Sequence, residues 1–459
     1  MHHLTSSFSL GLAASLTVAA VTAVWLSPCS AAPSSPTAGV RDAPPTNLAE
    51  LRARGPAGLD ELLARASVAT AAPRQLDPGT PRGSATPTRS DLAFAAAWQA
   101  AIDAVAGQRY ARSSGLYWYT DLALAEHEAQ RLHRPILALR MLGDLRNDLS
   151  CANSRLFRAT LYANAQVSAF LRAHFVLYWS SERTVPTVTI DFGDGRKLVR
   201  TTTGNSAHYV LDDHGHVLDV LPGLYAPSVF RAELAASLAL ADQVRGASDA
   251  ERIRATVAYH AAAIEATDRA WQLAAGAQYI HASPVLLGAT SIARAQAATM
   301  SKRIVEIPDL RAIDAIRPGD VPDDAAAWSA IGQQVWDIHE ATKPSPGQLP
   351  PPMVLDEPSR TLVRTLHNAG PLPRLATPAE LDVMIARLEQ HIVADTALNQ
   401  FTLRQNIHRH IVDLGETGFT ALNEWIYEAL FATPSSDPWL GLLPRTDFTG
   451  LPGDGVVMP

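Results

Sequence analysis

Cysteine is scarce in this chain: only Cys29 and Cys151 occur in 459 residues. If an N-terminal signal is removed beyond Cys29, one thiol remains and no internal disulfide can form. A disulfide-stapled scaffold is therefore excluded. Lysine is also scarce, with three residues, and the formal net charge is -7. No basic face is available to neutralise phosphates, so a nucleic-acid partner is not expected. No internal repeat of fixed period is found. Asp191-Phe192-Gly193 matches a kinase tripeptide, but no Gly-rich phosphate loop or catalytic-loop motif accompanies it, so the match is taken as chance. No Ser/His/Asp order and no paired-carboxylate motif can be assembled, and no cofactor or metal is expected.

The first long apolar stretch runs from Leu10 to Leu26, and small residues come next at Ser30, Ala31 and Ala32. This order predicts a signal peptide over residues 1–32 and export to the periplasm or beyond. The run is near the lower limit for a membrane span, so an uncleaved anchor is the alternative. Leu26-Ser27-Pro28-Cys29 resembles a bacterial lipobox, with Pro28 where a small residue belongs. An Ala-rich, Lys-poor chain with 32 prolines fits a GC-rich bacterial genome.

Length suggests two or three domains. Residues 33–46 read as a linker of Pro, Ser, Ala and Thr. Residues 47–114 read as a helical N-terminal region, interrupted by a Pro-rich linker over 72–89. Leucines at 48, 51, 59, 62 and 63 give two short helices broken at Gly55-Pro56. Ser90 is placed as the N-cap of a helix whose apolar face carries Phe94, Trp98, Ile102 and Val105. Leu116-Tyr117-Trp118-Tyr119 reads as a leading strand packed against the central domain, with Thr120 capping the next helix.

The central stretch is Arg134 to Pro222. Arg134-Pro135-Ile136-Leu137-Ala138-Leu139 reads as a buried strand, and helical sequence runs from about Cys151 to Ala173. Phe175 to Trp179 is a second strand. Val188 to Thr203, around Gly193-Asp194-Gly195, is an inserted hairpin. His208–Leu211 and His216–Val220 flank a turn at Asp212-Asp213-His214-Gly215, giving a last hairpin. A helix from about Ser228 to Ala241 closes the unit. Beyond it, segments near 249–275, 285–300, 323–341, 358–368, 377–397, 399–413 and 417–431 have helical spacing, with a Pro-rich break over 344–358. They define an α-helical domain over 246–432, and 433–459 is a tail expected to pack through Trp439.

Cys151-Ala152-Asn153-Ser154 is a CxxS motif at the start of a helix. Free N–H groups there favour thiolate; Arg155 and Arg158 would add to this, and Asp144 and Asp148 would oppose it. Ser154 cannot resolve a mixed disulfide as a second thiol does. The plain alternative is a partly buried cysteine packed as a small hydrophobe. His391, His408 and His410 could suggest a metal site, but histidines two apart on a helix point to different faces, so scattered histidines are expected.

The order strand, helix, strand, hairpin, helix over residues 115–245 resembles the thioredoxin-like superfamily. Within it, the stretch resembles the N-terminal domain of spermatogenesis-associated protein 20 and its bacterial relatives. Arg134-Pro135-Ile136-Leu137 resembles the first strand of that branch; Asn164 to Val176, its middle; Leu211 to Gly215 with Pro222-Gly223-Leu224-Tyr225, its end. The resemblance covers about Leu116 to Ala241, roughly a quarter of the chain. It implies an α/β thioredoxin-like domain between mainly helical N- and C-terminal regions, with Cys151 and Ser154 at the catalytic positions. It departs in two places. Ser154 stands for the second cysteine, and Asn205-Ser206-Ala207 stands where the superfamily has its cis-proline. Two functions are expected from this: a non-catalytic binding or scaffold protein holding an unknown protein partner, or a monothiol thiol–disulfide protein acting on a thiol client through Cys151.

Overall fold

A computed structural model describes residues 42–71, 88–202, 204–277, 325–336, 354–369, 377–416, 418–440 and 451–458. The expected signal peptide, most of both linkers (33–46 and 72–89), the helix near 285–300 and most of the Pro-rich break near 344–358 lie outside the described residues. The chain is mixed α/β: a four-stranded sheet and a separate hairpin, with helices before and after.

Helix α1 (Leu48–Ala53) and helix α2 (Pro56–Ala71) form the first corner. Gly55 turns between them at φ +66°, a left-handed value that suits glycine. At Gly58 an added Cβ would lie 1.9 Å from the Leu51 carbonyl oxygen, so only glycine lets the two helices approach this closely. Helix α3 (Arg89–Ala106) lays Trp98, Ile102 and Val105 against Leu51, Leu59 and Leu62, an N-terminal apolar cluster. Its cap is Thr88 and not Ser90. Asp91, three residues on, closes a reciprocal capping box: its N–H donates to Thr88 Oγ1 and its carboxylate accepts from the Thr88 N–H.

A single turn, α4 (Ala111–Ser114), leads to the aromatic run at 116–119. Tyr119 adds a parallel bridge to the sheet edge: its N–H donates to the Leu177 carbonyl, and its own carbonyl accepts from the Trp179 N–H. The aromatic run therefore packs as a leading edge, with Trp118 fully buried. Helix α5 (Leu122–Leu132) is capped by Asp121 and not Thr120: the Asp121 carboxylate accepts from the Leu124 N–H at 3.1 Å.

The sheet then assembles. Strand β1 (Ile136–Met141) is followed by α6 (Ala152–Leu156), which continues as a π turn over Phe157–Leu161. Helix α7 (Ala165–His174) returns the chain to β2 (Val176–Ser181). Strands β3 (Thr187–Asp191) and β4 (Lys197–Thr201) pair only with each other, as expected for an inserted hairpin. Strands β5 (Ala207–Leu211) and β6 (Val217–Pro222) complete the order β2-β1-β5-β6, and α8 (Pro227–Val244) packs on it. β1 runs parallel to β2 and antiparallel to β5, and β5 runs antiparallel to β6. All five residues of β5 are buried, because elements cover both faces of the sheet and leave no polar side to alternate.

The C-terminal part is helical: α9 (Asp249–Ala277), α10 (Ala325–Trp336), α11 (Glu357–Asn368), α12 (Pro378–Leu398), α13 (Gln405–Leu414) and α14 (Phe419–Trp425). A π turn over Asn399–Arg404 joins α12 to α13 without a break, and another extends α14 over Ile426–Leu430. One apolar cluster runs through the sheet and these helices, from Leu116 and Leu137 to Ile392, Tyr427 and Leu440. The tail is anchored by Leu440, which is buried, while Trp439 stays partly exposed. Arg183 fixes this end by donating to the Asp437 and Pro438 carbonyls. No described helix is long and apolar enough to cross a membrane.

Candidate functional site

Cys151 sits at the N-terminal end of α6, where β1 delivers the chain after the loop at 142–150. Its amide donates to the Leu142 carbonyl, which ties the start of the helix to the end of β1. The thiol is fully buried. Sγ lies 3.1 Å from Ser206 Oγ and donates towards Ser154 Oγ at 3.5 Å. The second CxxS position thus contacts the first. However, the Ser154 hydroxyl also lies 2.7 Å from Ser150 Oγ and 2.9 Å from the Cys151 carbonyl. It satisfies the local backbone instead of waiting for a substrate.

Three of the charges expected to tune this thiol, Arg158, Asp144 and Asp148, have hydrogen-bond partners of their own. The Arg158 guanidinium is buried and donates to the Leu145 and Asn147 carbonyls and to Ser150 Oγ. Burial pulls its pKa down to about 10. Asp148 accepts from Arg109 and Tyr110, and Asp144 from Arg146. Burial alone would raise both carboxyl pKa values; these donors bring them below the ordinary range.

Opposite the thiol, Asn205 and Ser206 lead into β5. The Ser206 N–H donates to its neighbour's Oδ1 at 2.9 Å, and Asn153 Nδ2 from α6 reaches the same oxygen. The C-terminal helices close over this point. Tyr427 Oη, from the extension of α14, donates to the Asn205 carbonyl at 3.2 Å. Nearby, Tyr209 Oη donates to Asn423 Oδ1, and Asn423 Nδ2 to Glu182. Glu182 also pairs with Arg140. His208 comes next within the same strand, but its Nε2 is taken by Tyr162 Oη at 2.7 Å, and its ring lies against Phe157 and Phe230. Burial lowers its pKa to about 3, so the imidazole is neutral near pH 7 and carries no charge that could hold a thiolate.

The remaining sequence candidates are separated. Asp212 serves the hairpin turn, accepting from the His214 and His216 amides. Asp191 plays the same part for the Gly193 amide. His410 stacks on Trp425 with ring centroids 3.7 Å apart, while His408 turns inward to His260. His260 and the ion pair beside it, Asp219 with Arg404, carry no local pattern in the sequence. Only the crossing of β6 with α9 and with the π turn that leads into α13 brings them together. No family model, curated protein or solved structure matches this chain.

Proposed function

We propose that this chain is an exported, non-catalytic scaffold built on a degenerate thioredoxin-like unit. Three observations support the thioredoxin-like reading: the order β2-β1-β5-β6 with one parallel pair, the cysteine at the start of the helix after β1, and Ser206 facing that cysteine from the segment before β5. In that fold the facing position belongs to a cis-proline that shapes a substrate groove. Here the equivalent ground is filled by the chain itself, through Tyr427. A fully buried thiol, faced by a segment that Tyr427 of the same chain holds in place, is the observation that carries the scaffold reading. A partner protein would then be held by other surfaces.

The test is thiol accessibility in the mature protein. Iodoacetamide should modify Cys151 at least about a hundredfold more slowly in the native state than in guanidinium, because thiolate must form and be reached before it reacts. Rapid alkylation at mildly acidic pH, with trapped mixed disulfides, would establish the alternative of a monothiol thiol–disulfide protein. That alternative draws on the free amides at a helix start, which favour thiolate wherever water reaches the sulfur. Export itself is tested by N-terminal sequencing. A mature end near Pro33 is expected; an intact Met1 in the soluble cytoplasm would count against it, and recovery in the membrane would favour an anchor.

A further inference from the structure

Far from Cys151 in sequence, three buried donors from three elements converge. Asp219 lies in β6, His260 in α9 and His408 in α13; their exposures are 0%, 0% and 3%. One donor atom from each lies within 4.8 Å of the other two. We infer that Asp219, His260 and His408 form a binding site for a divalent transition-metal ion of the zinc or iron(II) type.

The orientation of the imidazoles carries the argument. His260 Nε2 lies 3.0 Å from the Leu218 carbonyl oxygen, which can only accept, so that nitrogen bears the proton. The Nδ1 lone pair is then free to point inward. It meets His408 Nδ1 at 2.6 Å. In the metal-free protein this approach is bridged by one proton, donated by His408 Nδ1. Two histidine nitrogens bound to one tetrahedral zinc at the usual Zn–N length stand about 3.3 Å apart, so a small ring rotation opens the place. The ion takes the position of that single proton, and His408 changes tautomer: Nδ1 gives its proton to solvent as Nε2 takes one up, so the imidazole stays neutral.

The surroundings are those of a supported ligand set. A ligating histidine commonly donates its other ring nitrogen to a carbonyl, as His260 does to Leu218. The Asp219 carboxylate is fixed from several sides. Ser237 Oγ and Tyr259 Oη donate to Oδ2 at 2.7 and 2.8 Å, and the Val220 amide donates to Oδ1. Arg404 also donates to Oδ2 at 2.6 Å, and its charge opposes a second cation. Glu233 offsets it, binding the other guanidinium nitrogen at 2.6 Å. Two carboxylates and one guanidinium leave a net charge of -1 with neutral imidazoles, and a divalent ion leaves +1. Charge therefore does not decide; the donor types do. Two imidazoles and one carboxylate suit zinc or iron(II) and disfavour magnesium and calcium, which take oxygen ligands.

The full chain, stripped with a chelator, is titrated with Co(II) and then Zn(II). The site predicts one ion per chain, visible cobalt d–d bands without a sulfur charge-transfer band, and displacement of cobalt by zinc. His260→Gln and His408→Gln should each weaken binding at least about a hundredfold, as loss of a ligand should. Tyr259→Phe, which removes one donor from the Asp219 carboxylate, should weaken it about tenfold. Cys151→Ser should change nothing. If the histidine variants unfold, X-ray absorption on the zinc-loaded wild-type protein decides, with two imidazoles expected around the ion. Failure of the wild-type protein to bind, a sulfur ligand, or undiminished binding in a folded His260→Gln/His408→Gln double variant would each overturn the assignment.

Discussion

Cys151 Sγ and Ser206 Oγ, 55 residues apart in sequence, meet at 3.1 Å in the interior. Ser154 Oγ stands 3.5 Å from the same sulfur. Replacing Ser154 by Cys should therefore give a pair close enough to oxidise. The expected outcome is loss of both free thiols under mild oxidation, with no disulfide reductase turnover, because positions 151 and 154 are both fully buried. Thiol titration and an insulin-reduction assay read the two halves separately. Measurable turnover would overturn the scaffold reading.

Tyr427→Phe tests the cover itself. The substitution removes one buried hydrogen bond and leaves the Asn205 carbonyl without that donor, which should cost about 1–3 kcal/mol. The alkylation rate of Cys151 under native conditions should rise with it, since local opening now requires less free energy. Lower stability with an unchanged rate would mean that the thiol is shielded by some other element.

His208 should make stability depend on pH. Its folded pKa is held at about 3 by burial, against about 6.5 in the unfolded chain. Below about pH 6.5 the unfolded chain binds a proton that the folded chain refuses. The contribution is complete above that value and is lost as pH falls towards the folded pKa. Between pH 7 and pH 5 the loss is about 2 kcal/mol. His208→Gln keeps a polar partner for Tyr162 but does not titrate. Urea unfolding at the two pH values should show a slope flatter by about that amount, and equal slopes would refute the assignment.

Gly223 joins the end of β6 to the helical part. It has φ +76°, and an added Cβ would stand 2.5 Å from Asn399 Nδ2. Asn399 is itself fixed, donating to the Leu224 carbonyl. Gly223→Ala combines backbone strain with displacement of that amide, and should cost at least about 2 kcal/mol. Thermal unfolding checks this. A cost of a few tenths of a kcal/mol would show that Asn399 moves aside freely.

The elements legible in the sequence are those with a local cause. The apolar run Ile136–Leu139, the turn at Asp212–Gly215 and the insertion around Gly193 each declare themselves within a few residues, and β1, the β5–β6 hairpin and the β3–β4 hairpin form there. Caps are harder to place to the residue, because Thr88 and Ser90, or Thr120 and Asp121, are all acceptable cap residues. Only the reciprocal bond from Asp91, or the reach to Leu124, separates them. Trp439 outranks Leu440 as an anchor on size alone, yet the smaller side chain is the one that faces the core. The motif places Cys151 at a helix start, but its burial is not legible, since the residue facing its sulfur, Ser206, lies 55 positions away. His408 stands out in the sequence only beside His391 and His410; its partner His260 lies 148 positions away, and no spacing links the two.

The shared apolar cluster has a consequence for synthesis. β6 ends at Pro222, while Tyr427, which completes the cover near the sheet, is encoded roughly two hundred residues later. At ordinary elongation rates that interval is roughly ten to forty seconds. During it the nascent chain holds a finished strand order with an unfinished surface. A ribosome-bound product ending near residue 245 should therefore be a better chaperone client than the released protein.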